Sequence, residues 1–300
     1  MSAAPVIETE GLTKHYGQHR GIEDVTISVG PAEVFGLLGP NGAGKTTAIR
    51  TLLDLIHPTA GSARVFGLDS RRESVAIRAR LGNLPGDFGY GKAASGREAL
   101  RLLARLRGVR GGGRAETLAA RFRADLDRPL GQLSRGNRQK VGLILATFHE
   151  PELLVLDEPT SGLDPLMREE FLALLDEERE RGCAVFVSSH ELDEVERVCD
   201  RVGIVRDGKV VAVERMSDLL GKARRRVTVR FADAVRPGEL SDLPGVSDLV
   251  VGDHRASFQV EGDLDPVIKA LARHHVADVE ATHPTLEEVF LGYYREEARS

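Results

Sequence analysis

Four short runs in the first two thirds of the chain, residues 34–38, 153–156, 184–187 and 202–205, are apolar at every position. A strand without alternation is one covered on both faces, as in a parallel sheet clothed by helices. Helical spacing lies between these runs, in Ala48, Ile49, Leu52, Leu53 and Ile56, and again in Val141, Ile144, Leu145 and Phe148. Strand, helix, strand order of this kind predicts an α/β fold built on a mostly parallel sheet. Residues 97–128 are Arg-rich and carry helical spacing in Leu100, Leu103, Ala104 and Leu106, then break at Gly111-Gly112-Gly113. They read as a small helical lobe inserted between two parts of the sheet. Its arginines form either a solvated helix face or a surface that meets a partner.

The texture changes near residue 220. The basic run Lys222, Arg224, Arg225 and Arg226 precedes Val227, Val229 and Phe231, which alternate like a half-buried strand. Pro237 and Pro244 punctuate the next stretch, and residues 257–260, 267–271 and 286–290 read as strand, helix and helix. Two domains are expected: residues 1–220, with the helical lobe at about 86–150, and a small α+β domain at 221–300.

Composition narrows the function classes. Of 300 residues, 41% are apolar and 29% charged, which are globular proportions. The 41 basic against 46 acidic side chains give a net charge of −5, which argues against bulk electrostatic binding of nucleic acid. No window approaches the roughly 18–20 apolar residues of a membrane span, and the first residues lack a basic stretch followed by an apolar one. A soluble, non-secreted chain is expected. Its two cysteines, Cys183 and Cys199, cannot supply a four-thiolate site and fit a reducing cytosol. Arginine outnumbers lysine 34 to 7, which reads mainly as the coding bias of a GC-rich genome.

Candidate chemistry starts at Gly39-Pro40-Asn41-Gly42-Ala43-Gly44-Lys45-Thr46-Thr47, a glycine, four residues, then Gly-Lys-Thr, between an apolar strand and an amphipathic helix. Its glycines let backbone N–H groups turn toward an anion, and the helix starting at Lys45 adds its positive end. Lys45 is placed to reach the β and γ phosphates of a nucleotide, and the Thr46 hydroxyl to ligate Mg²⁺. Asp157 and Glu158 end another apolar run, where open α/β sheets hold their ligands. Asp157 is the candidate Mg²⁺ holder and Glu158 the candidate base for an attacking water. His190 follows a third strand end and is the candidate γ-phosphate contact.

Together these residues resemble the nucleotide-binding subunit of ABC transporters over about residues 6–215. Leu133-Ser134-Arg135-Gly136-Asn137 resembles the family signature LSGGQ, Ser161-Gly162-Leu163-Asp164 matches the loop after the catalytic Glu, and Tyr16 matches the aromatic that stacks on adenine. The resemblance implies a P-loop NTPase core with a mixed sheet and an inserted helical subdomain. It also implies a homodimer in which each ATP lies between the phosphate loop of one chain and Ser134, Gly136 and Asp164 of the other. Two positions depart from the pattern. Gly86 stands where the family usually has a Gln that touches Mg²⁺, leaving Asp87 or water to substitute, and the signature carries Arg135 and Asn137.

The tail Pro284-Thr285-Leu286-Glu287-Glu288-Val289-Phe290-Leu291 resembles bacterial drug-resistance exporters of the daunorubicin/doxorubicin type. The resemblance implies an ATP-hydrolysing subunit that drives a separately encoded membrane permease from the inner face of the cell membrane, with no nucleic-acid partner. The permease is expected to dock around residues 86–95 and the 97–128 lobe. A soluble ABC-type ATPase acting on ribosomes or DNA is the rival reading; it generally carries a second cassette, a long coiled-coil insertion or zinc-binding cysteine pairs.

Overall fold

The computed structural model describes residues 4–88, 93–109, 112–221, 225–235, 245–260, 262–282, 285–287 and 290. Gly111, Lys222, Arg224, Pro237, Pro244, Pro284, Glu288, Val289 and Leu291 lie outside the described residues. The chain packs as two compact units, Met1–Glu214 and Arg215–Ser300.

In the first unit, β1 (Ile7–Tyr16) and β2 (His19–Val29) pair antiparallel in a sheet ordered β2-β1-β4-β5, with β4 at Ala60–Val65 and β5 at Leu68–Asp69. A second sheet is ordered β10-β9-β3-β8-β7-β6. Its members are β3 (Val34–Leu38), β6 (Leu81–Leu84), β7 (Leu153–Asp157), β8 (Ala184–Ser189), β9 (Arg201–Arg206) and β10 (Lys209–Arg215). From β9 to β6 the neighbours are parallel. The apolar runs at 34–38, 153–156, 184–187 and 202–205 are therefore the adjacent central strands, and β3, β7 and β8 are buried at every position.

Helix α1 (Lys45–Leu52) packs on β1, β2 and β7, so its buried face of Ala48, Ile49 and Leu52 joins the two sheets into one core. Phe35 and Phe186 stack within that core, 5.6 Å between ring centroids. The helical spacing extended to Ile56, but α1 stops at Leu52. Asp54 takes a left-handed φ of 52°, and the Leu55 N–H returns to the Arg50 carbonyl, closing the helix end. Helix α2 is Ser74–Arg80.

The Arg-rich stretch forms α3 (Gly96–Arg107) and α4 (Gly112–Phe122), followed by α5 (Arg135–Thr147). Arg101 and Arg105 are exposed, as a solvated helix face requires, but three other arginines turn toward the rest of the unit. Arg121 pairs with Glu170 and Glu177, and Arg114 with the fully buried Glu178, all on α6 (Pro165–Glu180). Arg107 donates to the carbonyls of Arg78 and Leu81. These contacts bind the lobe to the sheet unit. Helix α7 is Leu192–Val198.

The second unit contains α8 (Met216–Gly221), α9 (Asp265–Leu271) and an antiparallel sheet ordered β12-β13-β11-β14. Its strands are β11 (Arg225–Phe231), β12 (Val246–Val251), β13 (Arg255–Val260) and β14 (Val276–Thr282). Val227, Val229, Phe231, Phe258 and Val267 form its own core. That is an α+β unit, and the alternation of 227–231 falls on β11.

Candidate functional site

The loop between β3 and α1 is shaped by glycine. Gly44 is the N-cap of α1 at φ 111°, and a Cβ there would lie 2.7 Å from the Gly21 carbonyl oxygen. A side chain is thus excluded on both conformational and steric grounds. With no side-chain cap on α1, the N–H groups of its first turn are left for an anion, backed by the helix dipole. By contrast, Ser95, Ser134 and Asp164 cap α3, α5 and α6 with their side chains.

Lys45 is 5% exposed, and its ammonium is nevertheless satisfied. Nζ donates to the carbonyls of Gly39 (2.6 Å) and Pro40 (3.3 Å) and pairs with Glu158 Oε1 at 3.1 Å. A buried cation needs such partners, because an unpaired one costs several kcal/mol in order of magnitude, about the loss of its hydration. These are contacts that a polyphosphate in the loop can replace.

The carboxyl ends of β7 and β8 supply the acidic half. Asp157 Oδ2 accepts from the Thr46 hydroxyl at 2.8 Å, and Oδ1 from the Ser188 hydroxyl at 2.5 Å. Glu158 stands beyond the strand at φ 50°. Its N–H donates to Ser188, its carbonyl accepts from Gln139 Nε2 at 3.1 Å, and its Oε2 meets His190 Nδ1 at 2.5 Å.

Two clefts share this centre. One, about 300 Å³, is lined by Tyr16, Arg20, Pro40, Asn41, Gly42, Gly44, Lys45, Thr46, Thr47 and Glu158. The other, about 440 Å³, is lined by Asn41, Thr46, Arg50, Gly86, Asp87, Arg135, Asp157, Glu158, Ser161 and His190. The first joins the half-exposed ring of Tyr16 to the phosphate loop, and the second carries the acid pair and the histidine. Among the described residues no three His, Cys, Asp or Glu side chains are placed to hold a metal ion by themselves. A cation here would be held by the Thr46 hydroxyl and Asp157 together with the phosphates, an oxygen set that fits Mg²⁺.

The comparisons with known proteins agree with this geometry. Residues 22–161 match the family model described as ABC transporter. The bacitracin transport ATP-binding protein BcrA of Enterococcus faecalis is 36% identical over 231 residues, covering 76% of this chain and 75% of that one. The daunorubicin resistance ATP-binding protein DrrA3 of Streptomyces coeruleorubidus is 34% identical over 303 residues, covering 96% of each chain. The chain belongs to the ATP-binding proteins of ABC transporters. A solved ATP-binding subunit of an ABC transporter superposes with a TM-score of 0.66 at 30% identity, over 71% of this chain and 91% of that one. This ABC protein is therefore an ATPase with the P-loop fold expected from its sequence.

The remaining sequence-derived residues separate into two places. Gly39 and Ala43 belong to the loop beside the clefts; a Cβ on Gly39 would meet the Val205 carbonyl at 2.5 Å. Ser134, Gly136 and Asp164 line neither cleft. Ser134 caps α5 by accepting from the Asn137 N–H, and Asp164 caps α6 by accepting from the Met167 N–H. Gly136 lies against Gly162, whose carbonyl oxygen would be 2.3 Å from an added Cβ. Gly86 is backed against Asp157, with Oδ2 3.0 Å from the place of a Cβ, so the acid's neighbour is bare backbone.

Several contributors were missed in the sequence. Ser188 bridges Asp157 and Glu158, and its signal was a polar residue at the end of an otherwise apolar strand. Gln139 shares a helical stripe with Gly142, Leu143 and Ala146, all buried, and a single amide in such a stripe marks a buried hydrogen bond. Arg50 and Arg135 bring positive charge to the acidic cleft; Arg135 stood out in the sequence only as a departure within the signature, and no pattern in the chain distinguishes Arg50 from its other arginines.

Proposed function

We propose that this protein is the ATP-hydrolysing subunit of an exporter and that two copies close on ATP to drive a separately encoded membrane permease. The observation that carries the reading is Glu158, held between Lys45 and His190 beside an uncapped helix end. In this reading the triphosphate enters the loop at 39–47, takes Lys45 from Glu158 and the loop carbonyls, and lies along the first turn of α1 with its base on Tyr16. Thr46 and Asp157 would hold Mg²⁺, which would supply neutralisation of the phosphate charge. Glu158, freed of the ammonium, accepts hydrogen from the attacking water, and His190 orients that carboxylate while facing the γ-phosphate. Ser134, Gly136 and Asp164 serve the nucleotide of the other copy, which fits their position outside this chain's own clefts.

A groove of about 210 Å³ lined by Leu53, Leu55, Pro85, Phe88, Leu103 and Arg107 supports the permease as partner. Beside it α3 leaves Leu102 and Leu106, one turn apart, exposed. An apolar, Arg-edged groove of this kind suits a short amphipathic segment. No helix among the described residues is long and apolar enough to cross a membrane. The relatives' names, bacitracin transport and daunorubicin resistance among them, support antibiotics and other drugs as cargo, and the inner membrane face is the place of work in this reading.

The test is ATP titration and turnover of Glu158→Gln. Retained ATP affinity with turnover reduced about 10²–10⁴-fold is the expected outcome. Normal turnover would remove Glu158 from the chemistry.

A further inference from the structure

The base has an unusual backbone. Glu158 is a non-glycine residue in the left-handed region, φ 50°, a conformation that persists only where its surroundings over-determine it. Its N–H is fixed by Ser188, which also fixes Asp157. Its carbonyl is fixed from another element: Gln139 Nε2, on α5, donates to it at 3.1 Å, and Gln139 is 4% exposed. Gln139 lies five residues after Ser134, on the helix that Ser134 caps.

From this we infer that Gln139 is a positioning residue for hydrolysis: its amide holds the strained Glu158 peptide so that the carboxylate points at the attacking water, and it ties the base to the signature helix. The inference rests on the reading of Glu158 as the base. Gln139 touches neither cleft, so it acts only through Glu158. Loss of the amide lets the peptide relax toward ordinary φ values. Because catalysis tolerates little misplacement, a shift on the order of 1 Å is enough to cost up to about 10²-fold. ATP binding uses the loop and α1, whereas the Gln139 amide is spent on the Glu158 carbonyl, so binding is expected to stay intact.

The experiment is steady-state ATP hydrolysis by the full chain carrying Gln139→Met, Gln139→Glu or Glu158→Gln, from pH 6 to 9, with thermal melting of each. Gln139→Met keeps the length and removes the donor; kcat is expected to fall about 10-fold or more with KM for ATP within about twofold of wild type. Gln139→Glu restores a donor when its carboxyl is protonated, so at pH 6 its kcat should exceed that of Gln139→Met. An unchanged kcat in Gln139→Met overturns the inference, as does equal impairment of both Gln139 variants at every pH, which would be a packing effect. Glu158→Gln separates the two levels. If it turns over normally, the base reading itself fails; if it is inactive while Gln139→Met is normal, only the positioning role fails.

Discussion

Helices α1 and α5 both begin at residues that the sequence assigns to phosphate, yet their ends are built differently. Helix α1 starts from Gly44, with no side chain to satisfy its first turn, and its Lys45 is parked on loop carbonyls and Glu158. Helix α5 starts from Ser134, whose hydroxyl already accepts from Asn137, and its Gly136 is pressed against the Gly162 carbonyl. The first end, the proposed phosphate site, faces clefts of its own chain. At the second, Ser134 and Gly136 are internally satisfied and line neither cleft, and only the Arg135 side chain between them reaches the acidic one. On the proposed function, the first needs only its ligand, and the second meets a nucleotide only when another copy brings one.

The largest effect separating the two ends is expected from Lys45→Ala. Losing a charge-assisted partner of the phosphates should weaken ATP binding about 10–100-fold by titration, and unchanged affinity would count against the loop. Gly136→Ala should act on the other end. Its new methyl meets backbone 2.3 Å away, so about 1–3 kcal/mol of stability should be lost in denaturant melts, whereas Gly113→Ala, with nothing within 4 Å, should be neutral or slightly stabilising. Ser134→Ala removes a cap worth about 1 kcal/mol and should leave ATP binding by the isolated chain unchanged. A drop in that affinity would mean that Ser134 serves its own cleft.

The smallest effect concerns pH. Burial, reinforced by the charge of Arg107, pulls the His149 imidazole down to about 4, and the ring contacts the Leu81 carbonyl at 3.2 Å. A histidine with a depressed value in the folded chain takes up its proton on unfolding. Its contribution is therefore full above about pH 6.5 and is lost as pH falls toward 4. Melting temperature should drop between pH 7 and 5, and His149→Gln, which cannot be charged, should flatten part of that slope.

Most of the α1 end was legible in the sequence because its chemistry is contiguous: glycines, Lys45 and Thr46 lie between a strand and a helix. Asp157, Glu158 and His190 were legible as strand ends. The antiparallel sheet was read only as part of a mixed sheet. Ile22, Val25, Ile27 and Val29 line the buried face of β2, but β1 opposite slips register between Thr9 and Leu12 and again before Lys14, which blurs period two. The stop of α1 at Leu52 depends on Asp54 entering the left-handed region, which helical spacing does not encode. Gln139 and Ser188 act across 19 and 30 residues of chain, and such pairings exist only once the fold has formed.

The difference between the two helix ends predicts that a second copy completes the site, and the solution mass of Glu158→Gln tests this most directly. With MgATP, light scattering should show the mass doubling, returning to monomer when nucleotide is removed, and Ser134→Arg placed in the same chain should abolish the doubling while ATP still binds. A chain that binds ATP and stays monomeric, or that dimerises equally well with Ser134→Arg, would contradict a nucleotide held between α1 of one copy and α5 of the other.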